Sequence, residues 1–296
     1  MEHKNDQIVI IYDHKMILFT NSSTSYDDDS VMNREGPLEG LFVYPAERRE
    51  FLLNLLNQKG FVSIRDLALE LQVSEITVRR DLKALQREGL VEKVAGGGQP
   101  VKSSSELPFL TKRVLQQSEK ARISQRALSL IEPGMTIGLS AGTTTWTLAQ
   151  LIRPLNISNL TFVTNSTNVA MALHANGWTD IHLTGGQFRT PSDALVGPLA
   201  EESARRLYTD MLFLGTHGIH LDDGLSSPNV LEASMNRVMM DRANTVVLLF
   251  DHTKWGIRAL AHLAMVEEVD IVITDGDSDE KSIEQLQRLG PEVFVV

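Results

Sequence analysis

Ser63–Gly98, SIRDLALELQVSEITVRRDLKALQREGLVEKVAGGG, decides how the first third of this chain is read. Ile64 to Leu71 sets Leu67, Ala68 and Leu71 at the spacing of one helix face. Gln72 and Val73 leave room only for a short connection, and Ser74 stands where an N-cap belongs. In the second helix Val78, Leu82 and Leu85 recur at i, i+4 and i+7, which predicts the face turned to the core. With successive residues about 100° apart, Ile76, Arg79, Arg80 and Lys83 point away from that face. An outward Ile beside two Arg suits a helix end that enters a major groove. There an apolar side chain meets a thymine methyl, and Arg reaches guanine edges or phosphates. Gly89 is placed to stop the helix. Leu90 to Val94, followed by Gly96, Gly97 and Gly98, predicts a hairpin wing with a flexible tip. Basic faces alone are common on solvated helices. The ordered set of cap, Arg pair, Gly stop and wing points to a winged helix-turn-helix. Its candidate DNA-contacting residues are Ser74, Ile76, Thr77, Arg79, Arg80, Lys83 and Lys93.

Working outward, Pro45 to Gln58 opens this domain, with Phe51, Leu52, Leu55 and Leu56 as its apolar face. Phe61-Val62 offers a short strand to pack with the wing. Arg48 and Arg49 are candidate phosphate contacts, or simply a solvated helix start. Residues 1–44 read as an N-terminal extension: two apolar runs, Ile8 to Tyr12 and Met16 to Thr20, suggest a hairpin, and the acidic Asn21 to Ser30 suggests flexibility. Met32 is an alternative translation start. Gln99 to Lys112 reads as a linker, and Phe109 to Ile131 as one long helix stopped by Pro133-Gly134.

The chain has 296 residues, which favours two domains. Its apolar fraction of 42% is that of a globular protein. It has no cysteine and no apolar run long enough for a transmembrane helix. A cytoplasmic protein without membrane contact is the expectation. The net charge of −10 is unevenly spread: −5 over residues 1–44, +1 over 45–98 and −6 beyond. Only the helix-turn-helix segment escapes the acidity, and a local patch governs binding because the Debye length is about 8 Å at physiological salt.

From residue 113 to 296 the pattern alternates. Met135–Leu139, Leu160–Thr164, Ile181–Thr184, Met211–Gly215, Thr245–Phe250, Ile271–Thr274 and Val293–Val296 are strand-like runs with helical patterns between most of them. That predicts an α/β domain with a doubly wound, mostly parallel sheet, whose ligands gather at the carboxyl ends of the strands. The runs end in Ser140-Ala141-Gly142-Thr143-Thr144-Thr145, in Asn165-Ser166, in Gly185-Gly186, in Gly215-Thr216-His217-Gly218 and in Asp251-His252-Thr253-Lys254. Gly142 to Thr145, opening a helix, could cradle a phosphate, although a Gly-Thr helix start is more often only a cap. No Gly-Lys-Ser/Thr pattern accompanies it. Lys254 is the natural charge partner of a phosphate. Asp222, Asp223 and Glu232 suit sugar hydroxyls, and His217 suits a polar contact or a purely structural role.

Ser74-Glu75-Ile76-Thr77-Val78-Arg79-Arg80-Asp81-Leu82, with Leu90 and Gly96-Gly97 downstream, resembles the signature of the DeoR family of bacterial transcriptional regulators. Gly142-Thr143-Thr144-Thr145, Thr164-Asn165-Ser166, Gly185-Gly186, Asp251 to Lys254 and the final Ile273-Thr274-Asp275 resemble the sensor domain of the same family, in the same order. The resemblance spans about residues 45–276. It implies a winged helix-turn-helix joined to a phosphosugar sensor on a fold related to ribose-5-phosphate isomerase. The resemblance implies that Gly142 to Thr145 hold phosphate and that Lys254 faces it; together with the strand-end reading, the expected effector set is Ser140, Gly142, Thr143, Thr144, Thr145, Asn165, Ser166, Gly185, Gly186, His217, Asp223, Glu232 and Lys254. Ser140 stands where many members carry Asp, which leaves the effector's identity open. The implied partners are an operator duplex, a phosphorylated sugar and further copies of the chain as a dimer or tetramer, with no cofactor, metal or catalytic residue. The competing reading is a sugar-phosphate isomerase with an added DNA-binding module, using Asp222, Asp223, Glu232 and Lys254 for acid–base work.

Overall fold

The computed structural model describes residues 8–12, 15–19, 45–87, 90–100, 107–278 and 280–296. The expectations placed on Asn21 to Ser30, Met32, Gly89 and residues 101–106 of the linker lie outside them. Two compact units are present, residues 1–39 and 40–296. In the first, β1 (Ile8–Tyr12) pairs antiparallel with β2 (Lys15–Phe19), with Tyr12 opposite Lys15.

The second unit opens with α1 (Pro45–Lys59), β3 (Val62–Ser63), α2 (Ile64–Glu70), α3 (Glu75–Arg87), β4 (Val91–Val94) and β5 (Gly97–Pro100). Ser63 caps α2 by accepting from the Asp66 amide. Val78, Leu82 and Leu85 of α3 are buried against Leu52, Leu56, Leu67 and Leu71. The hydrophobic stripe therefore faces the core as its period requires. β5 pairs with both β3 and β4, so the short strand before α2 does join the wing. The glycines differ from expectation. Only Gly96 sits in the turn, at φ 83°. Gly97 and Gly98 are buried in β5, where an added Cβ would lie 2.3 Å from the Val62 carbonyl oxygen and 2.8 Å from Leu82 Cδ2, respectively. They permit close approach of strand to strand and helix, not tip flexibility.

The long helix expected over 109–131 is broken. α4 (Phe109–Lys112) and α5 (Gln117–Leu128) are separated by Gln116, at φ 47°. A straight helix could not serve both sides of the joint. The break lets Leu115 enter the core of the DNA-binding domain, while Phe109 meets Trp146 edge to face at 5.7 Å.

The remainder runs β6 (Thr136–Leu139), α6 (Thr143–Leu151), β7 (Thr161–Thr164), α7 (Thr167–Ala175), β8 (Ile181–Leu183), β9 (Gln187–Arg189), β10 (Ala194–Val196), α8 (Pro198–Arg205), β11 (Thr209–Gly215), β12 (Gly218–His220), β13 (Gly224–Ser227), α9 (Val230–Met240), β14 (Ala243–Leu249), β15 (Ala261–Ala264), β16 (Ile271–Thr274), α10 (Glu280–Arg288) and β17 (Glu292–Val295). All seven strand-like runs of the sequence lie in one sheet of order β17-β16-β14-β11-β6-β7-β8, and every pairing in it is parallel. Alternate residues pack on opposite sides: Phe213, Val247 and Leu249 with Ile123 and Leu148, and Leu212, Leu214, Val246 and Leu248 with Met235 and Val238. Helices on both faces explain why these strands read as nearly unbroken apolar runs. Two antiparallel additions escaped the sequence reading, the β9–β10 hairpin and the β12-β13-β15 sheet. From β6 the chain moves outward through β7 and β8, then returns to place β11 on the other side of β6. The strand order therefore reverses at the β6–β11 junction, where doubly wound sheets form their ligand crevice.

Candidate DNA interface and effector cavity

In α3 the Ser74 Oγ accepts from the Thr77 amide at 3.2 Å, capping the helix. Ile76 is 78% exposed. Arg79, Arg80 and Lys83 are exposed along the same side of α3, and Lys93 is exposed on β4. A helix start that shows a large aliphatic side chain and a row of cations has no core to bury them in. Arg79 meets Glu75 at 3.0 Å, an exposed pair that phosphate or base contact can replace at little cost. Arg48 takes no part in this surface. It is buried, with Nε 2.6 Å and Nη2 3.2 Å from the Asp81 carboxylate. It therefore clamps α1 to α3 and is not a phosphate contact.

The second site is a cavity of about 560 Å³ at the carboxyl ends of β6, β11 and β14, a volume typical of small-molecule sites. Of the effector residues expected from sequence, it is lined by Gly142, Thr143, Thr144, His217, Glu232 and Lys254. Gly142 has no side chain to cap α6, and no side-chain cap replaces it among the described residues. The first-turn amides and the helix dipole are left for an anion.

The other expected residues lie outside the lining, each with a visible task. Ser140 is fully buried, and its Oγ accepts from the Gly215 amide at 3.0 Å, tying β6 to β11. Thr145 donates its hydroxyl to the Ser140 carbonyl at 2.7 Å. Asn165 accepts from the Ala141 amide at 2.9 Å and donates to the Leu195 carbonyl, so it holds the 140–144 loop from behind. Ser166 caps α7. Gly185 and Gly186 adopt φ of 73° and 107°, and a Cβ at Gly186 would lie 2.7 Å from that of Ala200. Asp223 pairs with His220 and Arg258. Glu232 lines the cavity but is engaged by Arg189 at 2.6 Å and by the Ser192 hydroxyl.

Among the lining residues outside the expected effector set are Lys120, Asp251 and His252. Lys120 is 4% exposed. Burial pulls it from 10.5 down to about 8, against the attraction of Asp251. Burial alone pushes the Asp251 carboxyl up, but Lys254, the Thr253 hydroxyl and Lys120 together outweigh it and hold the group below its usual value. His252 Nδ1 lies 2.6 Å from Asp275 Oδ2, and Asp275 is fully buried. That hydrogen bond raises the His252 pKa above 6.5 against its partial burial, with Asp251 and Asp277 adding to the effect. Asp251 and His252 belong to the strand-end run Asp251 to Lys254, which placed both at the crevice. Lys120 lies three residues before Ile123 and seven before Ala127, so helix spacing puts it on the buried face of α5.

The raised His252 pKa predicts a pH dependence. The imidazolium is favoured in the folded chain, so its stabilisation is complete below 6.5 and is lost as pH rises through the higher folded value. Thermal melts of the wild type should fall across that window, and Asp275→Asn should flatten this part of the profile. An unchanged profile in the variant would refute the assignment.

A winged helix-turn-helix joined to a switch-point cavity defines a DNA-binding protein with a small-molecule sensor domain. The DeoR-like helix-turn-helix domain matches residues 48–104, and the DeoR C-terminal sensor domain matches residues 115–276. The chain is 37% identical over 247 residues to the HTH-type transcriptional regulator GlpR of Haloferax volcanii, covering 83% of this chain and 96% of that protein. It is 31% identical over 230 residues to the glycerol-3-phosphate regulon repressor of Escherichia coli K12, covering 78% and 90%. Among solved structures it aligns with ribose 5-phosphate isomerase from Plasmodium falciparum at a TM-score of 0.36 and 15% identity, covering 47% of this chain and 53% of that one. The fold class rests on the parallel sheet itself. The chain belongs to the DeoR family and is a DNA-binding transcriptional regulator with a C-terminal sensor domain.

Proposed function

We propose that this regulator represses a carbohydrate uptake or catabolic operon and leaves its operator when a phosphorylated sugar or polyol occupies the switch-point cavity. The observation that carries this reading is the meeting of the uncapped α6 N-terminus with Lys254 and Lys120 in one cavity wall. Helix dipole and ammonium groups together suit a phosphate dianion. Thr143, Thr144 and His217 supply polar contacts for the remainder of the ligand. The glycerol-3-phosphate regulon repressor among the relatives makes glycerol 3-phosphate the first compound to try. The chain acts in the cytoplasm, as a dimer or tetramer reading paired half-sites. Residues 45–98 bind the duplex, 99–112 connect, and 113–296 sense.

The sensor carries no catalysis on this reading. Glu232 is committed to Arg189 and Ser192, and Asp223 stands outside the cavity. Conversion of an aldose phosphate to its ketose by the purified chain would reverse that statement.

The test is to select a duplex from a random pool with the full-length protein. Glycerol 3-phosphate and a panel of hexose and amino-sugar phosphates are then titrated against the complex. Release by one phosphorylated compound and not by its unphosphorylated form supports the reading. Release by none of them removes the phosphosugar claim. On the same duplex, Arg79→Ala and Arg80→Ala should each weaken binding by about 1–3 kcal/mol if they hold base edges, with unchanged ligand affinity. Wild-type affinity in both would displace α3 as the recognition helix.

A further inference from the structure

At the break between α4 and α5 the helix does not run on, and the Lys112 carbonyl accepts from the Leu115 amide at 3.3 Å. Lys120 bridges that break: its Nζ donates to the Lys112 carbonyl at 2.6 Å and to the Leu115 carbonyl. The same side chain lines the effector cavity, as do Leu107, Phe109 and Leu115. Residues 107–116 thus touch three things at once. Leu115 is part of the DNA-binding core, and Leu107 packs against it. Phe109 rests on Trp146 of α6, the helix whose N-terminus bounds the cavity. Lys120 ties the segment to α5 from inside the cavity wall.

Two carbonyl dipoles are weak partners for a buried ammonium, whose charge calls for a full counter-charge. Burial lowers the basicity of Lys120, and the nearby Lys254 and Lys112 add to that effect while Asp251 opposes it. An anion entering the cavity would offer what the carbonyls do not.

We propose that Lys120 is a phosphate-contacting residue of this cavity, and that its ammonium exchanges the Lys112 and Leu115 carbonyls for the bound anion, releasing the 107–116 connector and loosening its hold on the DNA-binding domain. The inference rests on the reading of the cavity as a phosphosugar site. It specifies the regulation of that site: the effector alters DNA affinity because one ammonium is shared between two states, tied to the connector in one and to the anion in the other.

The experiment uses the full-length protein and millimolar inorganic phosphate as probe, with chloride at matched ionic strength as control, since salt alone weakens DNA binding. Hydrogen–deuterium exchange is followed over residues 107–116. Phosphate should accelerate exchange there severalfold in the wild type. Lys120→Met should show fast exchange without phosphate, no further response, and phosphate binding weakened about ten- to a hundredfold, the loss of one charge-assisted hydrogen bond. The wild-type measurement stands if Lys120→Met fails to fold. Phosphate that binds the wild type and not Lys254→Ala, yet leaves connector exchange unchanged, would overturn the exchange mechanism while keeping the site. Phosphate that stabilises neither protein would overturn the phosphosugar reading and this inference with it.

Discussion

Asp81→Ala unfolds the DNA-binding domain at temperatures where the sensor domain stays folded. Asp81 and Arg48 are 3% and 5% exposed, and their two-point contact spans α1 and α3. Removing the Asp81 carboxylate breaks a buried ion pair, which costs about 3–5 kcal/mol. That is a large share of the roughly 5–15 kcal/mol that holds a domain together. The exposed Arg79–Glu75 pair, by contrast, is worth about 0.2–1 kcal/mol. Glu75→Ala therefore serves as the control that should leave stability nearly intact. Replacing both members, Arg48→Met with Asp81→Leu, should recover most of the loss, because two apolar side chains need no counter-charge. Calorimetry on the full chain separates the cases, since the two domains have distinct cores. A first transition left in place by Asp81→Ala would mean that the pair is not what joins α1 to α3.

Lys254→Ala abolishes the response to the effector. Lys254 lines the cavity and compensates the buried Asp251. On the proposed reading, loss of its ammonium removes one of the two positive charges facing the phosphate and leaves Asp251 to repel the ligand. Truncating one member of a charge pair that ligand binding buries costs about 2–5 kcal/mol, roughly thirtyfold to several thousandfold in affinity. The variant should stay on its selected duplex at ligand concentrations that strip the wild type. Titration calorimetry with the releasing compound gives the affinity directly. A normal release curve would show that the phosphate binds elsewhere.

Both predictions depend on contacts of different legibility. The α3 face, the Ser74 cap and the exposed Ile76 were readable because a helix repeats every few residues and its faces follow from spacing alone. The seven sheet strands were readable for the same reason, as β-branched runs between helical patterns. Arg48 was not: its partner lies 33 positions away, and nothing in the local pattern of α1 distinguishes a buried arginine from a solvated one. The effector set divides in the same way. Gly142 to Thr144 and Lys254 follow strand ends and so fall at the crevice. Asn165 and Ser140 also follow strand ends, yet they turn inward to brace the loop that forms the cavity wall.

By itself the sequence determined the seven strands of the parallel sheet, the helices between them, the apolar face of α3, and the family to which the chain belongs. These are properties of short-range spacing, and each residue carries its share of the signal. Only the tertiary structure decided which polar residues meet the cavity, that the helix after the linker breaks at Gln116, and that Lys120 is drawn inside to bond the Lys112 and Leu115 carbonyls at that break. Those outcomes depend on which surfaces pack together, and a buried charge takes its role from the partner that packing brings to it.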